Sequence, residues 1–397
     1  MFQKRGTHKH YDGWFAKNKT AIGVATMIGT IIGAGILGIP YLVAQTGLLY
    51  GLIVILLLGI AYIFINLFVG EIVLRTKASH QMTGYAEKYL GKYAKVILTI
   101  AMVFGTYGAL SAYLIGEGQT LFTLVEWGSP LVFSLIFGAV GILIVSRGLK
   151  ATGRAELILN TVFLGVITLI GIFSFRQITW NNISHLDFAK LLMPYGTILF
   201  AYLGFASIPE VREELGRETK KMKTVILAGS IIPIIVYILF TFVVVGIVGL
   251  DNFDVLLPNE RIATVALSLY SAPILGTLAN IMAFLTMFTS FLALSLILLD
   301  IYKKDYRISF RWAFLFTFLV PFAVVLLNFT SFISILSVVG TFTGGVEGIL
   351  VVLMFWRCKK LGDRKPEFTL RQNRIIGTLL ILMFLSGMVY FLVKLLS

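Results

Sequence analysis

Gly33-Ala34-Gly35 sits in the middle of an apolar stretch, with Gly38 and Pro40 just beyond it. Glycine costs roughly 1 kcal/mol relative to alanine inside a helix, so this cluster predicts a helix that breaks. A break strips amide N–H groups and carbonyls of their partners, and hydrocarbon cannot satisfy them. The N–H groups opening the second half-helix favour an anion such as a carboxylate. The carbonyls closing the first half-helix favour a cation or an ammonium group. One broken helix therefore suits both ends of a zwitterion. A second segment repeats the pattern: Gly29–Pro40 reads GTIIGAGILGIP, and Gly196–Pro209 reads GTILFAYLGFASIP. Phe200, Ala201, Tyr202, Leu203, Gly204 and Phe205 would form the opposing surface at the second break. The competing reading makes Gly29, Gly33, Gly35 and Gly38 packing glycines of the small-xxx-small kind. Packing alone does not explain a mirrored break.

The ionisable residues offer a second chemistry. Glu347 stands mid-span in GTFTGGVEGILVV, ten residues and about 15 Å of helical rise before Arg357. A permanent charge at that depth costs several kcal/mol. A carboxyl there is tolerated when it pairs, faces a cavity or takes up a proton, and no Lys or Arg lies at its level. Gly344, Gly345 and Gly348 leave room beside it for water or another helix. A proton carrier and a purely structural, hydrogen-bonded acid are both consistent with this pattern. Glu117 lies 22 residues beyond Lys95, roughly 33 Å along a helix, which predicts the outer vestibule. Glu71, Glu156, Glu210 and Asp300 fall near Arg75, Arg154, Arg212 and Arg307, as an inner gate or as ordinary interfacial charge. Tyr107, in the Gly105-Thr106-Tyr107-Gly108 run, falls near mid-depth and is a candidate third wall for the broken helices, or an aromatic packed between helices.

These groups need a membrane to position them. Of the 397 residues, 58% are hydrophobic and 13% charged, against roughly 25% charged in a soluble domain. A span needs about 20 apolar residues. Eleven such stretches are predicted, near 19–46, 48–74, 96–125, 130–146, 155–175, 191–211, 222–250, 273–299, 310–328, 331–356 and 374–395, with 261–270 as a short amphipathic helix over the mouth. With the N-terminus inside, the 33 Lys and Arg residues all fall on the inner side except Arg176, Lys190, Arg261 and Lys394. This is the positive-inside pattern, so the net charge of +14 is a topology signal and not a nucleic-acid footprint. The polar run from Lys4 to Lys19 leads straight into a full-length span, which predicts no cleavable leader. His8, His10, His80 and His185 have no metal-ligand spacing, the single Cys358 excludes an internal disulfide, and no GxxxxGK[ST] loop is present.

Five spans separate the two interrupted segments, so the copies run in opposite directions, the pattern of an inverted-repeat transporter. The expected organisation is an N-terminal tail (1–18), a first repeat (19–177), a second repeat (191–358), and a loop with an extra C-terminal helix (359–397).

GAGILGIPYLVAQTG (residues 33–47) closely resembles the first-span signature of the amino acid/auxin permease family, in the amino acid–polyamine–organocation superfamily. FAYLGFASIPEV (residues 200–211), Glu71 and the loop SHQMTGYAEKYLG (residues 79–91) support the resemblance. It implies an all-α integral membrane protein with a leucine-transporter-like five-plus-five fold: eleven transmembrane helices, with helices 1 and 6 discontinuous. It also implies that Gly33, Ala34 and Gly35 hold a substrate carboxylate, that carbonyls of Phe200 and Leu203 receive the amino group, and that Phe200 closes over the substrate. Thr286, Thr289 and Ser290 resemble the hydroxyls that help ligate sodium in this fold, with carbonyls near Gly29 and Ile32. Asparagine is frequent at the position of Gly29 in sodium-coupled members, and membrane hydroxyls commonly bond their own helix.

The expectation is a cation-coupled amino acid importer of the plasma membrane for small neutral substrates, aromatic ones included. The proton is preferred to sodium, with no cofactor beyond the ion and no contact besides substrate and lipid that the sequence reveals. The N-terminus is expected inside and the C-terminus outside. A ligand sensor of the same fold is the alternative; a membrane enzyme lacks a convergent constellation.

Overall fold

The computed structural model describes residues 18–147, 186–372 and 374–396, with scattered positions between 162 and 182. All regular structure among them is helical. The first span is two helices, α1 (Lys19–Ile31) and α2 (Gly35–Thr46), bent by 54° at the break. The second is α3 (Leu48–Leu74), whose 27 residues rise about 40 Å, enough to cross the bilayer with tilt. A short helix, α4 (Met82–Leu90), leads into the third span, α5 (Lys92–Val125). The fourth, α6 (Pro130–Ser146), opens with Pro130 in its first turn, and the Ser129 hydroxyl accepts from the Val132 N–H. Proline costs nothing there, because that N–H has no helical partner. The fifth expected span, with Arg154 and Glu156, lies outside the described residues except for scattered positions.

The sixth span is again broken, into α7 (Tyr195–Tyr202) and α8 (Ile208–Leu215), with Leu203 and Gly204 off helical geometry between them. The seventh is α9 (Met222–Val255), where Gly249 at φ +73° interrupts the helix close to the expected boundary of the span. Then come α10 (Ala263–Tyr270), α11 (Pro273–Asp300) and α12 (Phe310–Leu327). The tenth span is α13 (Phe332–Val339), a π-turn at Gly340–Gly344, and α14 (Gly345–Leu361); α15 (Arg374–Leu396) completes the chain.

The packing follows an inverted repeat. α2 lies against α7 and α1 against α8, so the first half of each broken span meets the second half of the other. α3 packs on α9, and α5 on α11, the corresponding partners of the second and third spans. The 261–270 segment forms a short helix as expected: α10 is buried from Ala263 to Leu267 with Leu269 exposed, and a Cβ on Gly276 of α11 would stand 2.3 Å from the Ser268 Cα.

At the basic end, Glu71 is fully buried and serves as an anchor. It accepts from the Arg75 Nε at 2.7 Å, from the Leu370 amide at 2.7 Å and from the Lys359 ammonium. Of the expected Arg–carboxylate group this pair forms, whereas Arg212 donates to the carbonyls of Val73 and Lys77. Asp363, held below the usual carboxylate range by the Lys88 ammonium and the Lys77 amide, ties the loop after α14 back to α4. Glu71→Ala would leave two cations facing each other without their anion. We expect it to cost about 3 kcal/mol or more, the range for breaking a buried pair. Thermal denaturation in detergent measures the drop.

Candidate functional site: two broken helices at one point

The two breaks touch through glycine. A Cβ on Gly35 would stand 2.5 Å from the Ala201 Cα, inside van der Waals contact with backbone. On Gly204 it would stand 2.2 Å from the Ile31 Cγ1. α7 is set equally tightly on its other side, where a Cβ on Gly340 would lie 1.8 Å from the Gly196 carbonyl oxygen. Residues without side chains thus let three unwound or π-helical segments converge.

Around the break the backbone is partly unpaired. The Ile32 N–H still reaches the Ile28 carbonyl at 2.7 Å, but the Gly33 N–H turns to the Ile31 carbonyl at 3.1 Å. No side chain caps α2, whose first residues are Gly35 and Ile36. The first turn of any helix carries N–H groups without intrahelical partners. Gly33, Ala34 and Gly35 therefore stand at an uncapped N-terminus of the kind that holds an anion. The Phe200 carbonyl accepts the Leu203 N–H at 3.1 Å, leaving a second lone pair. Phe200 is half-buried, and Leu203 closes α7 in extended geometry.

Gly33 and Gly35 have different surroundings. A Cβ on Gly33 would meet only the Tyr113 hydroxyl at 3.6 Å and the Ser290 hydroxyl at 3.8 Å. Those two hydroxyls come from α5 and α11, so both helices flank the break at Gly33. The break therefore opens toward a hydroxyl pair at Gly33 and is sealed by Ala201 at Gly35.

The side wall is corrected. Tyr107 does not reach the break: its hydroxyl donates to the Phe316 carbonyl at 2.9 Å and pairs with the Tyr302 hydroxyl at 2.5 Å, engaging the eighth and ninth spans. Tyr113 takes that place. Six residues turn a helix by 600°, so the two tyrosines point to different faces. Depth along α5 singles out Tyr107 and not Tyr113; only the facing separates them, and the packing sets it. Tyr202 also leaves the expected set. Its ring stacks on Tyr62 at 5.9 Å and meets Tyr237 at 5.2 Å, and its hydroxyl donates to the Ile55 carbonyl, behind the break.

Of the ion-coupling residues, Ser290 is brought to the break, while Thr286 and Thr289 donate to carbonyls of their own helix, Met282 for the first and Leu285 and Thr286 for the second. Gly29 and Ile32 lie on the approach to the break, in α1 and just past its end. Glu117 is not in a vestibule. It is 0% exposed, and neither carboxyl oxygen has a hydrogen-bond partner among the described residues. The glycines on either side of it sit at close helix contacts, Gly116 against Phe332 and Met287 and Gly118 against Ser134. Four residues from Tyr113, Glu117 shares its face one turn further along α5. Glu347 is buried in the first turn of α14. The glycines beside it are filled by protein: Met388 and Phe384 of α15 cover Gly345 and Gly348, and the Tyr62 hydroxyl faces Gly344 at 3.2 Å from a built Cβ.

A helical membrane bundle with two antiparallel broken spans meeting at its centre is the architecture of a multi-pass transporter. Residues 16–393 match the tryptophan/tyrosine permease family, and the chain belongs to it. The chain is 24% identical over 374 residues to tyrosine-specific transport system 1 of Haemophilus influenzae, covering 88% of this chain and 90% of that one. It is 24% identical over 226 residues to glutamine transporter 2 of Aliivibrio fischeri, covering 55% and 58%. The crystal structure of MhsT in complex with L-phenylalanine shares the fold, with a TM-score of 0.68 at 16% identity, covering 94% of this chain and 97% of that one.

Proposed function

We propose that this protein takes up aromatic amino acids by proton-coupled symport, with the substrate held where the two broken spans meet. The observation that carries the reading is the contact of the breaks at Gly35 and Ala201. It sets the uncapped start of α2 beside the carbonyl ends of α1 and α7, complementary to a carboxylate and an ammonium at one spot. The hydroxyls of Tyr113 and Ser290 beside Gly33 add polar contacts, and Phe200 supplies a ring for closure. The family and the tyrosine transport system of Haemophilus influenzae support an aromatic side chain. In this reading the basic end faces the cytoplasm.

Thr286 and Thr289 spend their protons on their own helix, and the buried carboxyls Glu117 and Glu347 offer a titrating alternative. The coupling proton is assigned to Glu117 ahead of Glu347, because Glu117 shares the face of Tyr113. Uptake of labelled L-tyrosine into proteoliposomes tests the reading. Accumulation is expected with an acid-outside gradient and is expected to be unchanged when choline replaces sodium. Dependence on sodium would move the ion to Ser290 and the Ile32 carbonyl. Binding of no amino acid from a panel of twenty would remove the substrate assignment.

A further inference from the structure

α1 and α7 end at the same place, and one side chain from α9 reaches both ends. Tyr237 is fully buried, and its hydroxyl oxygen lies 2.8 Å from the Ile31 carbonyl and 2.8 Å from the Ala201 carbonyl. Both carbonyls belong to the last turn of a half-helix, beyond the reach of the regular i+4 amide. The Ile31 carbonyl also accepts the Gly33 N–H at 3.1 Å and keeps a second lone pair. The Ala201 carbonyl has the phenol alone among the described residues. Ala201 is also the residue against which Gly35 is packed. The ring of Tyr237 is held against Tyr202, itself tied to the Ile55 carbonyl, so the hydroxyl is aimed by packing and not by chance.

A phenol has one proton. It satisfies one of the two carbonyls at a time and leaves the other able to accept from a different donor. We propose that Tyr237 is the positioning residue of the site: it staples the two breaks together and keeps one of the carbonyls of Ile31 and Ala201 available for the substrate ammonium group. This rests on the reading of the breaks as an amino acid site. Nothing in the sequence around Tyr237, IVYILF, marks the role, except that a buried phenol in a membrane span needs an acceptor.

Tyr237→Phe keeps the ring and removes the staple. In proteoliposomes the KM for L-tyrosine is expected to rise about tenfold, the scale of one lost hydrogen bond, with Vmax nearly unchanged. In the ligand-free protein, amide hydrogen exchange at residues 32–35 and 203–205 is expected to quicken about fivefold or more, with the centre of α3 unchanged. An unchanged KM, or a fall in Vmax with exchange faster throughout, would overturn the staple. Tyr62→Phe removes a hydroxyl that has no partner among the described residues from the same aromatic group. It is expected to change neither readout, and a matching change in both variants would mark a packing effect and overturn the proposal. If wild type fails to bind L-tyrosine, the substrate reading falls, while the exchange comparison still decides the staple. Should Tyr237→Phe aggregate, 3-fluorotyrosine placed at 237 in the otherwise native chain answers instead. Its fluorine resonance is expected to shift on adding L-tyrosine, and an unshifted resonance would refute the role.

Discussion

Gly35→Val abolishes uptake of L-tyrosine, by a factor of about 100 or more, equivalent to roughly 2.8 kcal/mol at 1.4 kcal/mol per tenfold. The first atom of the new side chain would stand 2.5 Å from the Ala201 Cα and 2.7 Å from its Cβ. These are backbone and near-backbone atoms that cannot swing aside, so the two breaks must separate. Separating them dissolves the alignment of amide and carbonyl ends on which a zwitterion depends. The rest of the bundle is held by contacts remote from this point, including the Glu71 anchor at the basic end, so insertion should survive. Gly33→Ala is the informative contrast. Its methyl would meet two hydroxyls at 3.6 and 3.8 Å, ordinary contact distances, so it should retain folding and change affinity by a smaller factor. Parallel uptake and size-exclusion measurements on both variants check the pair. Equal transport by Gly35→Val and wild type would mean that the break does not bind substrate.

The broken spans were legible because they violate a local rule. Glycines clustered in mid-membrane are costly enough to need a reason, and the repetition of Gly-Thr-Ile and Ile-Pro in two places supplied one. The long spans were legible from apolar length, and among the described residues seven helices, or eight with the bent first span, are long and apolar enough to cross a membrane. Facing was not legible. Tyr107 and Tyr113 lie at comparable places in an apolar helix, and only the packing of α5 on α11 tells which one turns to Gly33. Depth estimates failed at Glu117 for a related reason. Rise along an axis locates a residue but not its burial: Glu117 is 0% exposed, and the glycines flanking it pack against Phe332, Met287 and Ser134 of three other spans. The separate duties of Gly33 and Gly35 were likewise hidden, because a glycine beside a ligand and a glycine beside a backbone have the same letter. The π-turn at Gly340–Gly344 had a trace in its glycines, but its fit against Gly196 depends on a partner 144 residues away.

Glu117→Gln stops concentrative uptake while exchange of L-tyrosine across the bilayer continues. The carboxyl is fully buried, and both of its oxygens lack partners among the described residues. A permanent anion in such a place costs several kcal/mol, so a carboxyl there is retained where its charge comes and goes. Its position one turn from Tyr113 sets it on the helix face that meets the break, where movement of the half-helices can alternately wet and dry it. Glutamine keeps the shape and can hydrogen-bond but cannot carry a proton. The bound substrate should therefore still cross in exchange, with a rate within about threefold of wild type, because uniform binding is untouched. Accumulation driven by an acid-outside gradient should collapse to the equilibrium level. Glu347→Gln separates the two carboxyls. Glu347 stands beside glycines filled by Met388 and Phe384 of α15, so its variant should lose stability before it loses coupling. Proton-driven accumulation that survives in Glu117→Gln and disappears in Glu347→Gln would reverse the assignment and route the proton through the tenth span.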